Sequence, residues 1–203
     1  MSAGLRIAHV VPVTEAEGPF RRLALWTRGC RLRCPGCCNP ELFEATGPVT
    51  PVAALVATIE RARARHDLEG ITVVGGEPLE QLPAIAELCA AVSERGLGVL
   101  LFTGYRKEEA AALPGFAALQ VDTLVDGRFD ARDLEPPLAR GGRRFVGSRN
   151  QRLHHFTGRY SDMSLWTASN QGAAELEIHV SAAGQVTLVG APRRVARAAR
   201  ELS

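Results

Sequence analysis

Lysine is nearly missing from this chain. Lys107 stands alone among 24 basic residues, and arginine supplies the rest. Since either residue serves on a solvated face, the bias reads as genomic composition and not as chemistry. No strong charge of one sign is present either. The 24 basic residues face 22 acidic ones, a formal net charge of +2. A balance this even gives no basic face, so a nucleic-acid partner is not expected. Long hydrophobic runs are absent. Runs such as Val99 to Phe102 are far too short to cross a bilayer, so no membrane partner is expected. The opening MSAGLRIAHV holds no unbroken apolar stretch of the kind a secretory signal needs, so a cytoplasmic location with reduced thiols is the expectation. Internal repeats and low-complexity tracts are also missing. What remains is ordinary globular material: 203 residues, 46% hydrophobic and 23% charged, enough to bury one sizeable core.

The apolar segments alternate with helical patterns. Arg22 to Trp26 reads as a buried strand. Thr50 and Pro51 read as the cap and first turn of a helix that carries Val52, Leu55, Val56 and Ile59 on one face and ends before Gly70. Ile71 to Val74 is a second strand. Leu82, Ile85, Leu88 and Val92 mark a second helix, which Gly96 stops. Val99 to Phe102 is a third strand, followed by a short helix from Arg106 to Leu113, and Thr123 to Val125 is a fourth strand. This is the grammar of a parallel sheet with crossover helices. A closed eight-stranded barrel takes about 250 residues, so the expected fold class is α/β with a partial, open (β/α) barrel. Beyond about residue 157 the pattern changes. Leu176, Ile178 and Val180 alternate with polar residues, Val186 and Leu188 follow a turn, and a basic helix is expected from Pro192 to Leu202. The expected division is a main domain over 1–157 and a hairpin-plus-helix appendage over 158–203.

Four of the five cysteines fall within nine residues, in Cys30-Arg-Leu-Arg-Cys34-Pro-Gly-Cys37-Cys38. In a reduced compartment disulfides do not explain such crowding. Thiolates suit zinc, copper or iron–sulfur clusters. Cys30, Cys34 and Cys37 can hold three corners of a [4Fe–4S] cube and leave one iron open. A structural zinc site wants a closed set of four ligands, and no second Cys or His pair stands at the usual spacing, although His154-His155 could complete one. Cys38, next to Cys37, reads as lining the site, and Cys89 as a small core residue. Gly75-Gly76-Glu77-Pro78 follows the second strand. Glycines there permit close backbone approach to a ligand at the carboxyl end of a strand.

The spacing C-x₃-C-x₂-C after a first strand resembles the radical S-adenosylmethionine (SAM) superfamily. The string from Trp26 to Asn39 resembles its branch of activating enzymes for glycyl-radical proteins, in particular those serving anaerobic ribonucleotide reductase. The likeness extends over about residues 20 to 156, through Gly75-Gly76-Glu77-Pro78, Thr103-Gly104-Tyr105, Asp126-Gly127-Arg128-Phe129 and Gly147-Ser148-Arg149-Asn150-Gln151 with His154-His155 behind it. The resemblance implies that the open iron chelates SAM, whose reductive cleavage yields methionine and a 5′-deoxyadenosyl radical. It implies SAM contacts at Gly75, Gly76, Glu77, Thr103, Asp126 and Arg128. Glu77 stands where that branch usually has Asp, and Arg128 where lysine is more usual. Implied partners are a glycyl-radical protein such as the large subunit of anaerobic ribonucleotide reductase, and a flavodoxin-like or ferredoxin-like electron donor. Two other readings remain open: a radical SAM enzyme acting on a peptide or small metabolite, and a non-catalytic zinc- or cluster-binding interaction module.

Overall fold

The computed structural model describes residues 3–168, 176–180, 184, 186–190 and 195. Apart from Val195, the helix expected over Pro192 to Leu202 lies outside the described residues. The chain runs β1 (Gly4–Thr14), β2 (Arg22–Thr27), β3 (Val49–Pro51), α1 (Val52–His66), β4 (Gly70–Gly75), α2 (Leu82–Ser93), β5 (Gly98–Phe102), α3 (Lys107–Ala111), β6 (Thr123–Asp126), β7 (Arg152–His155), α4 (Ser164–Thr167), β8 (Leu176–Val180) and β9 (Val186–Gly190). The fold is α/β with a mostly parallel central sheet. Seven strands lie in the order β3-β1-β2-β4-β5-β6-β7, and β8 and β9 form a separate hairpin. The four strands read from apolar runs, β2, β4, β5 and β6, are the parallel ones. β1, with β3 outside it, adds antiparallel strands on one side and β7 on the other.

Alternation of side chains decides what each face of the sheet meets. Leu23, Leu25, Ile71, Val73, Val99, Leu101 and Leu124 point to one side and form the main core with α1 and α2. Those helices bury the stripes anticipated from spacing: Val52, Leu55, Val56 and Ile59 on α1, and Leu82, Ile85, Leu88 and Val92 on α2. At about 1.5–3 kcal/mol for each large apolar side chain buried, this layer is the main stabilising mass of the fold. The opposite face carries Ala24, Trp26, Leu100 and Val125. It is covered by loops, the single turn of α4 and the β8–β9 hairpin, and not by the crossover helices. Tyr160 and Trp166 are fully buried against Leu100, Val125 and Val146. Val189 of β9 packs with Val11, Ala16, Ala24, Trp26 and Leu42.

Arg22 closes the lower end of that second face. It is fully buried, as is the whole of β2. A buried charge must be matched by partners. Its guanidinium donates to Pro19 O, Ile71 O, Thr72 Oγ1, Tyr160 Oη and Glu69, the last at 3.1 Å. The open part of the face therefore lies at the other end, beyond the carboxyl ends of the parallel strands.

Two local expectations need correction, and one strand was not expected. Thr50 does not cap α1. It pairs with Leu5 in a short strand, and Pro51 is the N-cap, with no side-chain cap hydrogen bond. α1 ends not at Gly70 but at Asp67, which adopts φ 51° and donates its N–H to Arg63 O. Nothing in the sequence reading anticipates β1, whose run contains Pro12 and whose burial lacks a clean alternation.

Candidate cluster and cofactor site

β2 delivers the chain directly into the cysteine loop. The loop is anchored at its start: Gly29 N–H donates to Leu42 O and Cys30 N–H to Phe43 O, both at 2.9 Å. Cys30 is buried, Cys34 and Cys37 are half-buried, and Cys38 is exposed. Cys30, Cys34, Cys37 and Cys38 all line one cavity with Gly75, Gly76, Glu77, Thr103 and Gly104. Trp26, Phe102, Phe129 and Phe145 add an apolar wall. Burial pushes the thiols of Cys30 and Cys37 up, so in the free protein they hold protons that a metal must displace.

The donor set distinguishes a cluster from a single ion. Among the described residues no three His, Cys, Asp or Glu side chains converge tightly enough for one metal ion, which would require thiolates at about 2.3 Å from a common centre. His154 and His155 do not join the cysteines. Both lie on β7, away from the cavity lining. His155 Nδ1 is 2.8 Å from Thr123 Oγ1, and His154 Nε2 is 3.0 Å from Asp126 Oδ2 but out of line for a hydrogen bond. Three soft thiolates without a fourth ligand fit three corners of a four-iron cube.

The Gly-Gly-Glu segment is built against the root of this loop. Gly75 has φ 114°, and a Cβ there would sit 2.4 Å from Thr27 N. A Cβ on Gly76 would sit 2.4 Å from Gly29 O. Only glycine lets β4 end this close to the cysteine loop. Two main-chain bonds lock the contact, Gly76 N–H to Thr27 O at 2.9 Å and Glu77 N–H to Gly29 O at 2.7 Å. Glu77 is buried. Its Oε1 accepts from Leu79 N–H and Thr103 Oγ1, and its Oε2 from Gly104 N–H, at 2.7–2.9 Å. Burial pushes its carboxyl up to about 7 against the pull of these donors. Glu77 thus ties the end of β4 to the turn after β5.

Asp126 and Arg128 are placed differently. Asp126 is buried, with Oδ2 accepting from Lys107 N–H at 2.6 Å and Oδ1 from Arg152 N–H at 3.3 Å. It caps α3 and fixes β7. Arg128 pairs with Glu109 at 2.8 Å. Gly127 lines the cavity, but neither neighbour is part of its lining. The Gly147–Gln151 segment explains itself in three dimensions. Gln151 Oε1 accepts from Gly147 and Ser148 N–H, its Nε2 donates to Gly127 O, and Asn150 Nδ2 donates to Arg128 O. The segment clasps the stretch after β6 against the cavity.

Glu17 was not anticipated. It lies in the turn between β1 and β2, signalled only by the following Gly18-Pro19. Its carbonyl accepts from Thr72 Oγ1 at 2.8 Å, and its carboxyl, which lines the cavity, accepts from Gly190 N–H at 3.1 Å. Burial pushes it from 4.5 up to about 8, with Gly190 pulling it down and Glu177 adding to the rise. The folded state therefore keeps a proton that the unfolded chain releases. Its contribution to stability is complete below about pH 4.5 and is lost as pH rises through about 8. Glu17→Gln keeps an acceptor for Gly190 and removes the titration. Urea unfolding across this range is expected to give a flatter stability profile for the variant than for the wild type. Identical profiles would show that Glu17 titrates normally.

Comparison with known proteins agrees with this site. Residues 16–154 match the family described as a 4Fe-4S single cluster domain. The chain is 30% identical over 159 residues to the anaerobic ribonucleoside-triphosphate reductase-activating protein of Salmonella typhi, covering 74% of this chain and 99% of that protein. The protein of the same name from Escherichia coli K12 is 30% identical over 150 residues, 71% of this chain and 94% of its own length. The pyruvate formate-lyase-activating enzyme of Staphylococcus aureus USA300 is 32% identical over 156 residues, 72% of this chain and 59% of that enzyme. With three clustered thiols, a 4Fe-4S match over most of the chain and these relatives, the chain belongs to the radical SAM enzymes that activate glycyl-radical enzymes.

Proposed function

We propose that the protein cleaves SAM reductively and installs a glycyl radical in a large partner, the large subunit of anaerobic ribonucleotide reductase being the leading candidate. The observation that carries this reading is the meeting of Cys30, Cys34 and Cys37 with Gly75, Gly76, Glu77, Thr103 and Gly104 around one cavity. Cys30, Cys34 and Cys37 would hold the cluster, which supplies the electron for SAM cleavage when bound. Gly75 and Gly76 would bring bare backbone to the amino-acid end of SAM. Glu77 would act by holding the Thr103-Gly104 turn in place, through its bonds to both residues. Asp126 would position the same turn from behind through Lys107 N–H, while Arg128 would stand at the rim beside Glu109. Trp26, Phe102, Phe129 and Phe145 would exclude water from a reactive radical.

The sheet's uncovered end fits an open (β/α) barrel whose mouth admits a protein loop. The appended unit proposed over 158–203 would be seated on the main body by Tyr160 and Trp166, which pack against Leu100 and Val125. No helix among the described residues is long and apolar enough to cross a membrane. A flavodoxin-like or ferredoxin-like protein is the proposed electron donor.

The test is anaerobic cluster reconstitution, reduction with dithionite and addition of SAM. The expected results are about four irons with sulfide per chain, formation of 5′-deoxyadenosine, and a glycyl-radical signal by electron paramagnetic resonance in a reductase from the same cell. One zinc per chain without sulfide would reject the reading. Turnover of SAM with no radical on any protein partner would move the substrate to a peptide or small metabolite.

A further inference from the structure

We propose that the outer edge of β9 is a docking rail for an extended, glycine-bearing segment of the protein partner, paired main chain to main chain as it crosses the cavity. The proposal rests on the activase reading above. The reacting residue under that reading is a glycine, which offers no side chain to grip. Only its own main chain and its neighbours can aim the Cα–H bond. Strand addition supplies that aim through N–H and C=O groups in fixed register.

β8 and β9 form a two-stranded sheet, so among the described residues the outer edge of β9 has no strand beside it. In an antiparallel pair, alternate residues turn their main-chain groups toward the partner strand and away from it. Gly190 gives its N–H to Glu17 on the main body, so alternation turns Leu188 and Val186 outward as well. Leu188 and Gly190 line the same cavity as the cluster cysteines. The edge is therefore continuous with the place where the partner's glycine must arrive.

The hairpin is also tied to the main body. Val189 is 1% exposed within the apolar cluster around Trp26, and Glu177 Oε1 accepts from Glu15 N–H at 2.7 Å. Ile178, Val180 and Val186 remain 54%, 66% and 50% exposed. That apolar flank suits a partner whose neighbouring side chains are apolar. The family match ends at residue 154, so the hairpin lies beyond it.

Fluorescein-labelled peptides with a central glycine between β-branched residues, read by anisotropy against the full reconstituted chain, test the rail. Leu188→Pro removes one outward N–H and leaves the inward ladder intact. Leu188→Ala removes the side chain and keeps the N–H. Binding is expected to weaken about tenfold or more in the proline variant and less than about threefold in the alanine variant. N-methylating the peptide amides that face the edge is expected to give the same loss with wild-type protein. That arm decides the matter if the proline variant does not fold. Equal binding by wild type and Leu188→Pro, indifference to N-methylation, or no binding of any such peptide overturns the rail. Binding that appears only after removal of residues 196–203 also overturns it, since the chain's own terminus would then take the edge. A wild-type protein that makes no 5′-deoxyadenosine instead overturns the activase reading, so the two failures are told apart.

Discussion

Replacing Cys30, Cys34 or Cys37 with alanine is expected to yield a folded chain that retains no four-iron cluster, while Cys38→Ala retains it. All four thiols line the cavity, so position alone does not separate them. Chain geometry does. Cys37 and Cys38 are adjacent and cannot both turn toward one cube without distorting the loop, whereas the C-x₃-C-x₂-C spacing lets three thiols converge from one turn. Removing one of the three leaves two thiolates for four irons, too few to hold a cube. The fold itself has little at stake. The main core contains none of the loop cysteines, and the loop's anchors are the main-chain bonds of Gly29 and Cys30 to Leu42 and Phe43. Iron and sulfide content after anaerobic reconstitution is the measurement, expected to fall from about four irons per chain to a small residue of non-specific metal. An unchanged urea midpoint would exclude misfolding as the cause. If Cys38→Ala loses its cluster as completely as the other three, the ligand set must be redrawn.

Much of the scaffold was legible in the sequence because local and global signals agree. The four parallel strands are short, apolar and followed by glycine or polar turns, and the stripes of α1 and α2 repeat at helical spacing. The cysteine loop was legible for another reason, since its chemistry sits within a few consecutive residues. What escaped depends on long-range register. The sequence places Asp126 at the end of a strand, but it does not say whether the carboxylate faces the cavity or the start of α3. Pairing of Asp126 with Arg152 across β6 and β7 settles that, and a shift of one residue would have reversed it. Glu17 was hidden for the same reason. Its importance comes from Thr72 and Gly190, which are 55 and 173 residues away in the chain. The cover of the second face by Tyr160 and Trp166 was not legible either, because such burial leaves the same apolar strand pattern as burial by helices.

Glu77→Ala is expected to be the most damaging change outside the cysteines. The carboxyl of Glu77 accepts from Leu79 N–H, Thr103 Oγ1 and Gly104 N–H inside a nearly closed site. Alanine leaves all three donors without an acceptor. Each stranded buried donor costs about 1–3 kcal/mol, so a loss of about 3 kcal/mol or more is expected, softened where the cavity admits water. Glu77→Gln recovers only part of this, because its NH₂ must face a donor at one of the two oxygen positions. Thr103→Val is the graded control. It removes one of the three donors to Glu77 and, with it, the acceptor of Tyr105 N–H, and is expected to cost about 1–3 kcal/mol. The same bonds hold the Thr103-Gly104 turn on the cavity wall, so SAM affinity of the reconstituted protein is expected to fall about tenfold or more in Glu77→Ala. Urea unfolding and calorimetric SAM titration read the two effects separately. A purely structural carboxylate would lower stability and leave the affinity of the folded fraction untouched. A wild-type urea midpoint for Glu77→Ala would mean that this carboxylate does not tie the strand ends together. The glycines at 75 and 76 would then carry the link between β4 and the cysteine loop through their close approach to Thr27 and Gly29.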